Sequence, residues 1–430
     1  MATGTLLSIS VSNFGPFAES ITFSTQSDMA KKELLCENSF EIKENRYNKV
    51  SYIYGANGAG KSNFCKAVMQ LQNFLSLSPI FAANNPQMLE MSALKSRFSN
   101  LDNPYKFNRI YADKPTHFGI EILLNGITYS YSFDTKGGRI LTEKLTKKNK
   151  RTEVIMDRTS PLFTDIVLKS ELKGFENNIS VVKENVLCLS MAAFLNIKLA
   201  DELLNTINSI KVVNMAAMNL NHVTEEACTE ERIKKYLKVL QVADATLQDI
   251  HVEFNEKKVE RQKMNVPDLE DREFVVRRVQ LDVLSTHKVY TEEDNTTEFC
   301  ELPFMQIEST GTIKLFGILP VIFNALEEGG VLIIDEIENG LHPIVVKQII
   351  DLFLSEDTNP NHAQLVCTSH SKELIESKVR RDQVWIVTKN KRGESSLRRI
   401  SDIPGMRAYE NNGYKYLEAA FSTIPVDIFK

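Results

Sequence analysis

The pattern of apolar and polar positions predicts a chain that alternates between strands and helices. Residues 5–11 (TLLSISV), 20–24 (SITFS) and 49–54 (KVSYIY) are short runs rich in β-branched and aromatic side chains, which favour strands. From Ser62 to about Leu77 the apolar residues recur at three- and four-residue steps, as they do along one face of a helix.

The middle of the chain predicts a hairpin and then a helical region. Residues 116–134 form two alternating arms joined by Asn125-Gly126, the strongest two-residue hairpin signal. Residues 190–245 have helical spacing with Lys- and Glu-rich stretches. Residues 255–300 are charged and are predicted to be mostly irregular, apart from a strand near FVVRRVQLDV.

The last part of the chain alternates regularly. A helix from 310 is followed by apolar strands at 331–334, 364–369 and 384–388, with helical segments between them. Strands separated by helices indicate a parallel sheet with crossover helices. We therefore predict an α/β fold with a mixed sheet and flanking helices, an antiparallel β lobe and a mostly helical insertion.

Composition narrows the class of protein. The 430 residues are 43% hydrophobic and carry a formal net charge of −5, which excludes full disorder and gives no global reason to bind nucleic acid. No apolar stretch is long enough for a membrane span, and the N-terminal residues do not resemble a secretory signal. Six widely spaced cysteines indicate reduced thiols, and we expect a cytoplasmic protein.

A phosphate-binding loop is the most specific motif. Gly55-Ala56-Asn57-Gly58-Ala59-Gly60-Lys61-Ser62 matches G-x-x-x-x-G-K-[ST], and it follows a predicted strand and opens a predicted helix. The glycines let backbone N–H groups converge on phosphate oxygens, and the helix start favours the same anion. Lys61 is expected to reach the β- and γ-phosphates, and the Ser62 hydroxyl is expected to ligate Mg²⁺.

An acidic pair follows the apolar strand at 331–334. Asp335 lies at the carboxyl end of this strand, where α/β sheets bind ligands, and is expected to hold Mg²⁺ through water. Glu336, directly after it, is placed to polarise an attacking water. The alternative is a structural carboxylate pair at the start of the next helix. The presence of a phosphate-binding loop in the same chain makes this alternative less favoured.

A long stretch of chain separates Lys61 from Asp335, so a region must be inserted between the two halves of the site. We predict an N-terminal lobe at 1–140, an insertion at 141–300 and a C-terminal lobe at 301–430. The insertion is predicted to be mostly helical, and to hold a short coiled-coil stub or a partner-binding region.

Two further elements fit the same site. Glu308-Ser309-Thr310-Gly311-Thr312 opens a helix and suggests a second anion-binding end, which would serve a nucleotide held by a partner subunit; a plain N-cap is the alternative. His370 follows the apolar strand QLVCTS, from which it can reach a γ-phosphate; a polar strand end is the alternative.

In this order the motifs resemble those of the ABC/SMC class of P-loop ATPases. They look most like the short bacterial SMC-like AAA-family ATPases related to the OLD family, which serve abortive-infection and antiphage systems such as AbiL, PARIS and Gabija. The resemblance rests on five segments: the I-x-V-x-N-F-G-P-F pattern that begins within Leu6–Phe14, the loop at 55–62, E-S-x-G-T at 308–312, D-E-I-E-N-G-L-H-P at 335–343 and S-H at 369–370. The segment from Tyr416 to Pro425 resembles the family's C-terminal ending, although Ser422 stands where glycine is expected.

The resemblance implies ATP and Mg²⁺ as cofactors and assigns roles to individual residues. Glu336 would be the general base, Lys61 and His370 would act on the phosphates, and Asn339 to His342 would form a loop at a dimer interface. The residues expected to contact the nucleotide are Asn57, Gly58, Ala59, Gly60, Lys61, Ser62 and Asn63 and, from the other protomer, Ser309, Gly311 and Thr312. A homodimer or higher homo-oligomer would enclose the two ATP molecules.

Two departures from the family are visible. The class has a glutamine where its lobes join, but no Gln occurs between Gln87 and Gln241, so Asn108 is a candidate substitute and hydrolysis could be slow. OLD-type nucleases carry a TOPRIM domain with an Asp-x-Asp motif after the ATPase. The residues after His370 show no such motif, so we expect the effector to be a separate protein, with a nuclease as one candidate.

The resulting hypothesis is an ATP-hydrolysing sensor or regulatory subunit of an antiphage system, without a membrane partner. The alternatives are an SMC-like DNA-repair or DNA-tethering ATPase, an ABC transporter ATPase subunit, and a nucleotide-binding module without hydrolysis. Contact with DNA stays open for two basic clusters, for which a solvated surface is the alternative. The first cluster is Lys144, Lys147, Lys148, Lys150 and Arg151, and the second is Lys389, Lys391, Arg392, Arg398 and Arg399.

Overall fold

A computed structural model describes residues 4–32, 34–82, 102–159, 166–264, 272–290, 298–371 and 379–403. The strands are β1 Thr5–Ser12, β2 Ile21–Ser24, β3 Ser39–Ile42, β4 Asn45–Asn48, β5 Val50–Tyr54, β6 Thr116–Leu124, β7 Ile127–Lys136, β8 Arg139–Lys148, β9 Thr152–Arg158, β10 Ile166–Leu168, β11 Lys211–Asn214, β12 Leu247–Met264, β13 Arg272–Val289, β14 Glu298–Pro303, β15 Val331–Asp335, β16 Gln364–Ser369, β17 Val384–Lys389 and β18 Ser395–Arg399. The α-helices are α1 Leu35–Asn38, α2 Lys61–Leu77, α3 Arg109–Ala112, α4 Cys188–Phe194, α5 Lys198–Ser209, α6 Glu230–Ala243, α7 Phe304–Ile307, α8 Thr310–Glu328 and α9 Pro343–Leu354.

An antiparallel sheet of seven strands forms the β lobe. Its order is β10-β9-β8-β7-β6-β1-β2, so most neighbours in the sheet are also neighbours in sequence. β6 and β7 pair from Thr116↔Thr135 to Leu124↔Ile127, which confirms the hairpin predicted at Asn125-Gly126. Both turn residues have positive φ, as a tight hairpin turn requires.

The sheet of six strands is mixed, with the order β11-β15-β16-β5-β17-β18. All its pairings are parallel except that of β17 with β18. β5, β15 and β16 are buried along their whole length, as parallel strands covered on both faces are. Because parallel strands end at the same edge, the residues that follow β5, β15 and β16 meet there.

The helix α2 follows β5 and contributes to a core shared by both sheets. The apolar positions that predicted it, including Phe64, Val68 and Leu71, are all buried. They belong to one apolar cluster with Phe118 of the antiparallel sheet and Ile333 of the mixed sheet. Burial of each such side chain contributes about 1.5–3 kcal/mol, so this packing fixes the position of the helix start.

The chain divides into two compact units. The larger unit comprises Met1–Met215, Ala325–Glu338 and Ile349–Lys430, and contains both sheets described above. The smaller unit comprises Ala216–Asn324 and Asn339–Gln348, and contains a three-stranded sheet, β12-β13-β14. The predicted division of the chain at 140 and 300 stays a prediction.

The prediction of a mostly helical insertion is wrong. Helices α4, α5 and α6 confirm the helical region predicted at 190–245. However, β12 and β13 are strands of 18 residues each. β13 contains the strand predicted near FVVRRVQLDV, whereas the rest of the segment at 255–300 was predicted to be irregular. Charged residues at many positions masked the period-2 pattern, since strands of an open hairpin need only one apolar face. The longest described helix between 141 and 300 has 14 residues, too short for a long coiled-coil arm.

One described helix, Thr310–Glu328, is long and apolar enough to cross a membrane by length and composition alone. Within its apolar window, 61% is buried inside the protein. A helix of a protein core passes the same test.

Candidate nucleotide-binding site

The phosphate-binding loop joins β5 to α2 in the conformation that its glycines allow. Gly58 and Gly60 have φ values of +76° and +121°, which side chains on L-residues rarely adopt. A Cβ at Gly60 would lie 3.0 Å from Ser395 Oγ and 3.2 Å from Pro16 Cγ, whereas a Cβ at Gly58 would meet nothing within 4 Å. The loop is therefore packed on one side and open on the other.

Lys61 is buried at the start of α2 and folds back over the loop. Its Nζ donates to the carbonyl oxygens of Gly55 at 2.6 Å and Ala56 at 3.3 Å. Burial lowers the pKa of Lys61, and the nearby carboxylates of Glu338, Asp335 and Glu336 oppose this shift. The ammonium thus lies at the edge of the sheet where the sequence predicted the acidic pair.

Hydrogen bonds from residues distant in sequence stabilise the phosphate-binding loop and the segment next to it. Ser395 Oγ donates to Ala59 O at 2.5 Å, and Ser395 N donates to Pro16 O at 2.7 Å. Lys389 Nζ donates to Gly58 O at 3.3 Å. Pattern reasoning missed Ser395, because a serine at the start of an edge strand carries no sequence signal of its own.

Asp335 is buried at the end of β15 and is held on both oxygens. Asn214 Nδ2 donates to its Oδ2 at 3.0 Å, and Thr368 Oγ1 donates to its Oδ1 at 2.6 Å. Burial, with Asp335 as the next cause, raises the pKa of the Cys65 thiol on α2 well above its usual value. Asn214 and Thr368 lie on the two strands that flank β15, so only the sheet brings these three residues together.

Glu336 has a left-handed backbone conformation with φ +55°, which is uncommon for a residue other than glycine. Its backbone N donates to Thr368 Oγ1 at 2.8 Å, and the backbone N of Ile337 donates to Thr368 O at 3.2 Å. Neighbouring groups hold the residue in this conformation, and such backbone strain concentrates at functional sites.

His370 directly follows β16, as predicted, and it is exposed. Its Nδ1 lies 2.8 Å from Glu338 Oε1, and its backbone N donates to the same oxygen at 2.7 Å. Glu338 is a residue of this site that the sequence analysis did not single out.

The predicted signature segment lies in the smaller unit. Ser309 Oγ accepts a hydrogen bond from the backbone N of Thr312 at 3.1 Å, so Ser309 is the N-cap of α8. Ser309 and Thr310 are exposed, whereas Thr312 is buried. A Cβ at Gly311 would lie 2.5 Å from Gly340 O, so only glycine lets the two backbones approach this closely.

Other predicted residues have local roles. Asn108 Oδ1 accepts a hydrogen bond from Ile110 N at 3.1 Å and caps the four-residue helix α3, so its substitution for the family's glutamine stays a prediction. Lys144 pairs with Asp157 at 2.8 Å, and Lys147 pairs with Glu153 at 3.3 Å and also with Glu171. The segment from Tyr416 to Pro425 lies outside the described residues.

The arrangement in the larger unit fits a magnesium nucleotide. The glycine loop is open on one side, a lysine lies at its end, and a buried aspartate follows the strand two positions away in the sheet. Ser62 and Asp335 carry oxygen atoms of the kind that Mg²⁺ prefers as ligands, and contact of Asn57 to Asn63 with phosphates stays a prediction. The roles of these residues are predictions that their positions support.

Comparison with known proteins bears on the same region. A search of curated proteins finds no match. Among solved structures, one match is "Structure of cbiO1 from clostridium perfringens: Part of the ABC transporter complex cbiONQ", with 12% identity, coverage of 89% of this chain and 92% of that chain, and a TM-score of 0.28. A family model described as "AAA domain, putative AbiEii toxin, Type IV TA system" matches residues 50–172 and 230–376, which include the glycine loop, the signature segment, the acidic pair and His370. The chain therefore belongs to this AAA-domain family.

Proposed function

We propose that the protein binds and hydrolyses MgATP, dimerises around two ATP molecules, and acts as the sensor or regulatory subunit of a bacterial antiphage system with a separate effector. One observation carries the ATPase part: the glycine loop with Lys61, the pair Asp335-Glu336 and His370 follow β5, β15 and β16 at one edge of the sheet. The defence part draws support from the family description, which names the AbiEii toxin of a Type IV TA system.

The chemistry follows from these positions. Backbone N–H groups of the loop and the start of α2 bind the phosphates, and Lys61 exchanges its carbonyl partners for phosphate oxygens. Ser62 and Asp335 would hold Mg²⁺, which neutralises charge on the transferred phosphoryl group when it is bound. Glu336 orients the attacking water and accepts its proton, and His370 donates to the γ-phosphate.

A second copy of the chain would complete the site. Ser309 and Thr310 are exposed at the start of α8, where the helix dipole and N–H groups favour an anion. In a two-fold symmetric dimer each copy gives its α8 start to the triphosphate held by the other.

The test is the oligomeric state of Glu336→Gln, measured by gel filtration with light scattering. This variant keeps the shape of the side chain but lacks the base, so it should bind MgATP, fail to hydrolyse it, and accumulate as a dimer. The wild-type protein with and without ATP is the control. A variant that stays monomeric with MgATP bound would contradict the proposed dimer.

Two alternatives belong to other classes of protein. A DNA-tethering SMC-like ATPase expects a long coiled coil, and the described part of residues 141–300 holds none. An ABC transporter subunit would need a membrane partner. ATP turnover measured with and without DNA, together with identification of the protein that co-purifies with this chain, separates these alternatives.

A further inference from the structure

We propose that Glu338 is a positioning residue, which holds His370 in the orientation required for contact with the γ-phosphate. The inference rests on the proposed function, because it assigns a role to a neighbour of the histidine in that site. The sequence motif D-E-I-E includes Glu338, but neither its spacing nor its residue type indicated a partner.

A single carboxylate oxygen fixes both the backbone and the ring of His370. Glu338 Oε1 accepts the backbone N–H at 2.7 Å and lies 2.8 Å from Nδ1. An ionised carboxylate can only accept, so Nδ1 carries the hydrogen of the second contact. Nε2 is then the ring nitrogen left for a ligand, and it donates to a phosphate oxygen when the ring carries a hydrogen on both nitrogens, with the Glu338 carboxylate balancing the positive charge.

The surroundings of Glu338 distinguish it from a structural ion-pair partner. Its side chain is only 14% exposed, whereas that of His370 is 51% exposed. Its other oxygen, Oε2, is buried and forms no hydrogen bond with the described residues. A buried carboxylate oxygen without a partner costs free energy, which favours a role for Glu338 beyond stability.

Glu338 also connects the two strands that carry the catalytic groups. It lies on the turn after β15, three positions beyond Asp335, and its partner His370 directly follows β16. Among the carboxylates near Lys61, Glu338 has the largest effect in opposing the fall of the lysine pKa. Glu338 therefore contacts the histidine and acts electrostatically on the lysine of the same site.

The test is a mutant cycle on ATP hydrolysis with Glu338→Ala, His370→Ala and the double variant. If Glu338 acts through His370, each single variant should lower kcat by a similar factor, about 10- to 100-fold, with KM changed less than about threefold. The double variant should be no worse than either single variant. Multiplied losses in the double variant would overturn the proposal.

The matched variant Glu338→Gln separates hydrogen bonding from folding. Its amide oxygen can accept both N–H groups, so kcat should lie much closer to wild type than to Glu338→Ala. A glutamine variant as slow as the alanine variant would overturn the proposal. Glu328→Gln, a change of an exposed carboxylate on α8, is the control for loss of surface charge.

A spectroscopic measurement tests the contact without turnover. In the ligand-free protein, ¹⁵N NMR of labelled histidines should show a proton on Nδ1 of His370, identified by the missing signal in His370→Ala. Glu338→Ala should shift the proton towards Nε2, and an unchanged signal would overturn the contact. If the wild-type protein hydrolyses no ATP, the proposed function fails, whereas this measurement still decides whether Glu338 positions the ring.

Discussion

Single residues show where the larger unit is least tolerant of change. Glu143 is fully buried and lies 3.6 Å from the guanidinium of the equally buried Arg158. Its carboxylate also accepts from Cys188 N at 2.7 Å, Leu189 N at 2.9 Å and Tyr131 Oη at 2.9 Å. Burial, reinforced by Glu143, raises the pKa of Tyr131 well above its usual value, so the phenol stays a donor.

The change Glu143→Ala should therefore destabilise the protein by about 3–5 kcal/mol, because it leaves a buried guanidinium without its carboxylate and three donors without their acceptor. Thermal and urea unfolding measure the loss. Lys144→Ala is the control, since its pair with Asp157 is partly exposed and contributes at most about 1 kcal/mol. Equal losses in the two variants would contradict the role of Glu143.

The two loop glycines provide a second comparison between residues. Gly58→Ala should cost about 1–2 kcal/mol of unfolding free energy, because only the positive φ opposes the side chain. Gly60→Ala should cost about 1–3 kcal/mol more, because its Cβ also crowds Ser395 and Pro16. The midpoints of thermal unfolding without nucleotide rank the two variants, and the reverse order would show that the loop is packed differently.

At the scale of elements, the start of α8 combines a structural and a proposed functional role. Ser309 caps the helix, so part of any loss on mutation comes from helix stability. The plain N-cap that the sequence analysis kept as an alternative is thus present. Exposure of the same residue leaves room for the second role.

A series of variants at Ser309 separates the two roles. Ser309→Ala should lower stability by about 1 kcal/mol through loss of the cap, whereas Ser309→Thr should retain most of it. Ser309→Arg should abolish hydrolysis while ATP binding, followed with a fluorescent analogue, stays nearly intact. Equal loss of binding and hydrolysis in Ser309→Arg would contradict a role on the partner's nucleotide.

At the same scale, β15 and β16 of the mixed sheet were predictable because their residues are almost uniformly apolar. The runs at 331–334 and 364–369 are apolar throughout, which only strands buried on both faces require, and both are buried strands in the structure. Strand β13 was predicted in part, from the run FVVRRVQLDV, whereas β12 was not, since its charged residues obscure the alternation and it pairs with β13 rather than with a core sheet.

At the scale of the whole molecule, charge argues against a broad DNA-binding surface. The net charge is −5, and Lys144 and Lys147 of the first basic cluster are paired with carboxylates. In the second cluster Lys389 donates to Gly58 O, and the Arg399 guanidinium lies 5.4 Å from the Trp385 ring centre. These contacts support the interpretation that both clusters are solvated or structural surface rather than DNA contacts.

Binding to duplex DNA should accordingly be weak and should respond little to salt. The logarithm of the binding constant falls by about 0.9 per phosphate contact for each tenfold rise in salt, so a slope of about 2 or less is expected. Fluorescence anisotropy across a range of salt concentrations measures it. A steep slope that decreases in Lys148→Ala and Lys150→Ala would instead identify the first cluster as a DNA contact.

The sequence alone predicted the chemistry that is proposed for the site. The glycine loop, the lysine, the acidic pair and the histidine were predictable because phosphate and Mg²⁺ binding impose residue types at fixed local spacing, and local spacing is visible in one dimension. The tertiary structure decided what supports them. Asn214, Thr368, Ser395 and Glu338 come from separate segments and carry no local signal. The first, second and fourth reach the site because the parallel strands end at a common edge, and Ser395 reaches it because the antiparallel strand β18 begins there.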